Sequence, residues 1–156
     1  MGIAASAEAV RITDDPNGFN GYEWGKPSGK YPGLKLMQER GGSDVFEKVE
    51  IFQNGSEPLA LNGVSFAQIR YRFVDDQLES IELNFAGAEN RDKLMQWLEE
   101  RYGKLVAAER KWRTIQWFGD LTTITLTYDR FIKQGTLWFI CQRLNHLLNE
   151  HASMPD

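Results

Sequence analysis

Ile69, Tyr71 and Phe73 alternate with Arg70 and Arg72, and the same two-residue beat returns as Ile81, Leu83 and Phe85 against Glu82 and Asn84. Alternation of this kind marks two half-buried strands, and Asp75-Asp76-Gln77 between them marks a hairpin. Parity then constrains the register. Both odd-numbered apolar sets reach one face only if paired positions sum to an even number. A three-residue loop from Asp75 to Gln77 satisfies this by pairing Tyr71 with Ile81 and Arg70 with Glu82, whereas a two-residue turn would expose half the apolar residues.

From Asn90 to Tyr102 the period becomes helical, with Leu94, Trp97, Leu98 and Arg101 on one side. Asn90 is the expected N-cap, Asp92 falls in the first turn, Arg101 in the last, and Gly103 marks the stop. The apolar stripe should lie on the sheet face carrying Tyr71 and Phe73. Upstream, a short extended piece surrounds Leu34-Lys35-Leu36, and residues 46–52 predict a strand with Val49 and Ile51 alternating against Lys48 and Glu50. Downstream, strands are expected near 111–118, 122–128 and 136–141, and Leu144, Leu147 and Leu148 suggest a short closing helix. Extended segments that follow one another through short connections favour an α+β fold: an antiparallel meander sheet with one main helix, about 90–102, on one face and a short C-terminal helix.

Residues 1–17 lack a sustained period and end in the turn formers Asp14-Asp15-Pro16-Asn17-Gly18, so a flexible N-terminus is expected before a single domain over 18–152. Phe19, Tyr22 and Trp24 then crowd a glycine-rich stretch followed by a loop through Tyr31. These rings either anchor the segment on the core or line a ligand groove; anchoring is the ordinary use of aromatics near a terminus.

A chain of 156 residues, 42% hydrophobic and 26% charged, suits one globular domain that needs no staples. Eighteen Lys and Arg against 22 Asp and Glu leave a net charge of -4, which argues against nonspecific nucleic-acid or anionic-membrane binding. No apolar run has the length of a membrane span. The one cysteine, Cys141, sits in the run Leu137-Trp138-Phe139-Ile140-Cys141 and should be a small buried hydrophobe. Ala5-Ser6-Ala7 fits the A-x-A form of a signal-peptidase site, although no basic or apolar region precedes it; an exported, periplasmic or secreted location is expected, with a cytoplasmic one as the alternative.

Chemistry-bearing motifs are sparse. His146 and His151 stand five apart, too far round a helix to share a metal as an i, i+4 pair does. Asp14-Asp15-Pro16-Asn17-Gly18 lacks calcium-loop spacing and suits an Asx-type turn. Asp75 and Asp76 belong at a solvated hairpin tip. No nucleophile elbow or phosphate-cradling motif is present, so no catalytic residue, metal or cofactor is assigned. What remains is a surface: Arg70 and Arg72 should face away from the helix beside Glu82 and Asn84, joined by Thr123, Thr125 and Thr127. That face either docks an extended partner or an anionic ligand, or is a solvated sheet face. If Trp112 and Trp117 share a strand, their odd separation puts one of them on it. Trp24, Tyr31, Arg70, Arg72 and Trp117 are therefore the candidate ligand- or partner-binding residues.

The series Gly18-Phe19-Asn20-Gly21-Tyr22-Glu23-Trp24-Gly25, with Pro32-Gly33-Leu34, the two hairpin strands and Tyr102-Gly103-Lys104, resembles a pattern in small uncharacterised bacterial exported proteins. It covers most of the chain after residue 18. The resemblance implies bacterial origin and an envelope location, and it supplies no catalytic residues. Missing catalytic motifs and abundant Trp, Tyr and Arg favour a non-catalytic binding or adaptor module with a protein or small-molecule partner. The alternatives are a small-molecule carrier with an aromatic pocket between sheet and helix, and an enzyme with a scattered carboxylate or histidine site.

Overall fold

The hairpin at 69–85 forms the centre of the sheet. The computed structural model describes residues 9–42, 44–54, 59–106 and 113–146. In chain order its strands are β1 (Ala9–Arg11), β2 (Gly18–Phe19), β3 (Tyr22–Glu23), β4 (Leu34–Gly41), β5 (Lys48–Asn54), β6 (Ala60–Leu61), β7 (Val64–Ser65), β8 (Gln68–Val74) and β9 (Gln77–Ala86). Helix α1 (Ala88–Tyr102) follows, then β10 (Thr114–Phe118), β11 (Thr122–Asp129) and β12 (Gln134–Cys141). A short C-terminal helix, α2, is described over 142–146.

Eight of these strands form one sheet in the order β1-β10-β11-β12-β9-β8-β5-β4, antiparallel except for the β1–β10 pair. The chain makes two meanders, β4-β5-β8-β9 and β10-β11-β12, and α1 carries it between them so that β12 docks against β9. The fold is α+β, with α1 on one face.

The hairpin reaches the expected pairing by a different device. Tyr71 pairs with Ile81 and Arg70 with Glu82, but the turn is only Asp75-Asp76, because Val74 pairs with Gln77. Both turn residues have positive φ, 49° and 55°, the pattern of a type I′ turn that matches strand twist. Parity is restored by a bulge: Arg72 pairs with Ser80 and Phe73 with Leu78, which leaves Glu79 as the extra residue.

Strand β5 has the opposite phase to the expected one. Phe52 pairs with Tyr71 and Glu50 with Phe73 on the helix side, so Ile51, opposite Arg72, faces the other way. Alternation alone could not distinguish the two faces, because both carry apolar residues here. Strand β4 continues well past Leu36 as an exposed edge.

Helix α1 begins two residues before Asn90. Gly87 is the N-cap, and Asn90 instead donates its side-chain amide to the Ala86 carbonyl at 2.9 Å. Leu94, Met95, Leu98 and Tyr102 are buried, and Gly103, with φ 138°, ends the helix as expected. The packing is aromatic: Phe19 stacks on Phe139 of the sheet at 3.9 Å and meets Trp97 of α1 edge-on at 6.4 Å.

Regular structure also starts earlier than Gly18. Ile12 is buried and donates its backbone N–H to Phe118, and Thr13 donates to Tyr102 at the end of α1. The Asp15 carboxylate accepts the backbone N–H groups of Leu121 and Thr122 at 2.8 and 3.2 Å. The turn-forming cluster is thus a tie to a neighbouring turn, with both Asp15 oxygens accepting amide N–H groups.

Candidate functional site

Two of the sequence candidates lie in the core. Trp117 has no exposed surface and donates its indole N–H to the Gly103 carbonyl at 2.8 Å. Trp24 is buried and donates to Thr122 Oγ1 at 2.7 Å. Strand parity explains the first, since Trp117 pairs with Ile124 on the helix face; Trp112 lies outside the described residues, as do His151, Leu147 and Leu148. Tyr31 is half-buried against Tyr22 at 4.4 Å, and its phenol oxygen accepts the Glu23 N–H, closing the loop back on itself. Trp24 and Trp117 therefore present no free face, and Tyr31 is packed against Tyr22. They anchor the N-terminal segment and α1.

Arg70 and Arg72 do face away from α1, as do Thr123, Thr125 and Thr127. Two rows cross this face. One runs Thr123, Ile140, Ser80, Arg72, Ile51; the next runs Thr125, Trp138, Glu82, Arg70. Between them lies a concavity of about 430 Å³ whose floor includes Ile51, Ile140 and Trp138. No described element packs over it.

Its charges are already engaged. Trp138 donates its indole N–H to Glu82 at 3.2 Å, and Glu82 also sits 3.7 Å from Arg70, which donates to Gln68 at 2.9 Å. Arg72 donates its Nε–H to Glu79 at 2.6 Å. The Glu79 side chain, at the bulge, has no exposed surface and also accepts from Ser80 Oγ and from Asn145 of α2. Burial pulls the Arg72 guanidinium pKa down, but hydrogen bonding to Glu79 and the charges of Glu79 and Glu82 outweigh it, so the net shift is upward. Two cations and two carboxylates sum to zero across the face. That balance does not favour a simple anion trap.

The chain matches no family model, no curated protein and no solved structure. The remaining reactive groups are modest. Cys141 is buried, and burial pushes its thiol pKa up despite hydrogen bonds from the backbone of Leu144 and Arg143, the opposite of an activated nucleophile. His146 is exposed on α2. Among the described residues no group of three or more His, Cys, Asp or Glu side chains is placed to hold a metal ion.

Sequence reasoning missed Trp138, Ile140, Ile51 and Glu79. Trp138 and Ile140 sit in an unbroken apolar run, so only the pairing of β12 with β9 reveals that they point opposite to Leu137 and Phe139. Glu79 is visible only once the bulge is known.

Proposed function

We propose that this protein is a non-catalytic binding or adaptor module of the bacterial cell envelope, and that it docks an extended polypeptide segment on the sheet face away from α1. The observation that carries this reading is Trp138: a half-buried indole beside Ile140 and Ile51, flanked by the Arg70–Glu82 and Arg72–Glu79 pairs. An apolar anchor ringed by paired charges of both signs suits a peptide of mixed character, because aromatic and arginine side chains dominate binding energy where charges fix register. The aromatic space between sheet and α1 is filled by Phe19, Trp97, Tyr102 and Phe139, which weighs against a carrier pocket there. The envelope location rests on the Gly18–Gly25 resemblance and on Ala5-Ser6-Ala7.

Immobilised full chain exposed to an envelope extract tests the reading, with Trp138→Ser and Arg70→Glu compared against Leu121→Ser, a change at an exposed position in the β10–β11 turn. The two face variants should lose partners that the wild type and the control retain, while all four keep the same circular dichroism spectrum. Equal capture by all four would overturn the proposal. Arg72 is a poor test position, since reversing its charge would set a carboxylate against buried Glu79 and threaten the fold.

A further inference from the structure

At the end of the sheet where the first turn of α1 meets the β11–β12 turn lies a second cavity, of about 510 Å³, that shares no lining residue with the concavity described above. Three arginines line it: Arg91 from α1, Arg113 just before β10, and Arg130 from the turn. Asp92 and Asp129 also line it, leaving one net positive charge. Asp129 accepts the N–H groups of Phe131 and Ile132 at 2.9 and 3.4 Å and sits 3.4 Å from Arg113, so it mainly shapes the turn. Arg91 contacts Asp92 at 3.3 Å. The N-terminus of α1 has no side-chain cap, and its partial positive charge adds to that of the arginines.

Tyr128 supplies the independent observation. It lines the same cavity and is only 9% exposed, and its phenol oxygen is closed to solvent with no hydrogen-bond partner among the described residues. A buried hydroxyl left unpaired is costly, and where a fold keeps one it wants an explanation. Phe131, which also lines the cavity, is 84% exposed, and Arg130 lies over its ring at 5.4 Å.

We infer that this cavity binds a small amphipathic oxyanion, a carboxylate or phosphate group carried on an apolar body. The oxyanion is held by Arg113, Arg130 and the α1 N-terminus and receives the Tyr128 hydroxyl proton in a hydrogen bond, while the apolar body rests on Phe131. Access to the phenol needs side chains at the rim to shift, a common adjustment on binding.

Calorimetric titration of the full chain at low ionic strength with phenyl phosphate, benzoate and inorganic phosphate tests the assignment. Phenyl phosphate or benzoate should bind saturably, whichever is tighter identifying the oxyanion, and inorganic phosphate should bind at least about tenfold more weakly for want of apolar contact. Tyr128→Phe should weaken the preferred aromatic probe about tenfold while leaving the melting temperature of the free protein unchanged or higher, since it deletes an unpaired hydroxyl. Arg113→Gln should weaken that probe as well. Absence of saturable binding by all three probes would overturn the inference. So would equal affinity for inorganic and phenyl phosphate, or a Tyr128→Phe variant that melts lower and binds as the wild type does.

Discussion

Arg72 and Glu79 meet across the bulge of the central hairpin at 2.6 Å, and their exposures differ sharply: the arginine side chain is 40% exposed and the glutamate side chain has no exposed surface. The pair is therefore asymmetric. If Glu79 is neutralised, Arg72 can still turn to water; if Arg72 is removed, a buried carboxylate keeps, among the described residues, the donors on Ser80 and Asn145.

From that asymmetry, Arg72→Met should destabilise the fold more than Glu79→Gln does. Leaving an incompletely compensated buried charge costs about 3 kcal/mol, against about 1–2 kcal/mol for losing a charge-assisted hydrogen bond whose donor can rehydrate. The double variant should lose less than the sum of the two. Urea denaturation of the three proteins measures this, and a larger loss in Glu79→Gln would show that the arginine, not the glutamate, is the poorly solvated partner.

The hairpin tip is a clamp rather than a solvated turn. Asp75 accepts the backbone N–H groups of Glu47 and Lys48 at 2.7 and 3.0 Å, and Asp76 accepts both N–H and hydroxyl of Ser28 at 2.9 and 2.8 Å. Glycine is the residue that suits the φ of 55° at Asp76 best, so from the turn alone Asp76→Gly should stabilise, by about 0.5–1 kcal/mol. Loss of two hydrogen bonds to a carboxylate outweighs that gain, and a net loss of about 1–2 kcal/mol is expected. Asp76→Asn, which keeps Oδ1 and tolerates positive φ, should cost less than about 1 kcal/mol. Thermal melts rank the variants, and a stabilised Asp76→Gly would mean that the Ser28 tie contributes nothing.

Gly135 lies where the Phe85 ring crosses β12. A Cβ there would stand 2.3 Å from Phe85 Cζ and 2.6 Å from the Thr127 carbonyl oxygen. The ring can turn; the carbonyl belongs to the sheet and cannot. Gly135→Ala should cost about 2–3 kcal/mol, in the manner of an overpacked core. Adding Phe85→Leu should fail to restore wild-type stability, because the carbonyl contact persists. Full rescue in the denaturation midpoint would place the whole strain on the ring.

What the sequence revealed depended on whether one face alone carried the apolar residues. Between 69 and 85 Arg70, Arg72, Glu82 and Asn84 break the apolar beat, so parity predicted the pairing of Tyr71 with Ile81 even though the turn and bulge that produce it were hidden. In β5 each face carries an apolar side chain, Ile51 on one and Phe52 on the other, and the prediction chose the wrong one: Ile51 lies on the face away from α1 and Phe52 in the core. The candidate face divides the same way. Arg70 and Arg72 were legible because they interrupt an apolar beat, whereas Trp138 is embedded among Leu137 and Phe139 and needs a partner strand to orient it. The parallel strand β1 is three residues long and pairs with Gln116, Trp117 and Phe118, far away in sequence.

Alkaline pH should loosen this fold in two stages. Cys141 and Tyr102 both have pKa values raised above their ordinary 9.0 and 10.0, chiefly by burial; for Tyr102 the charge of Arg101 works against the shift and that of Asp14 with it. Each group is an acid that stays neutral longer in the folded chain than in the unfolded one. In the window between the two pKa values the unfolded state therefore holds fewer protons, and stability falls as pH rises. The contribution of Cys141 is complete below pH 9 and is lost above it; that of Tyr102 is complete below pH 10. Cys141→Ala should start from a lower stability, for want of a buried side chain, yet show a shallower decline from pH 9 to 10 than the wild type. Tyr102→Phe should differ in slope only above pH 10. Urea midpoints at half-unit steps from pH 7.5 to 11 give both slopes, and parallel curves for wild type and Cys141→Ala would show that the thiol ionises alike in the folded and unfolded chain.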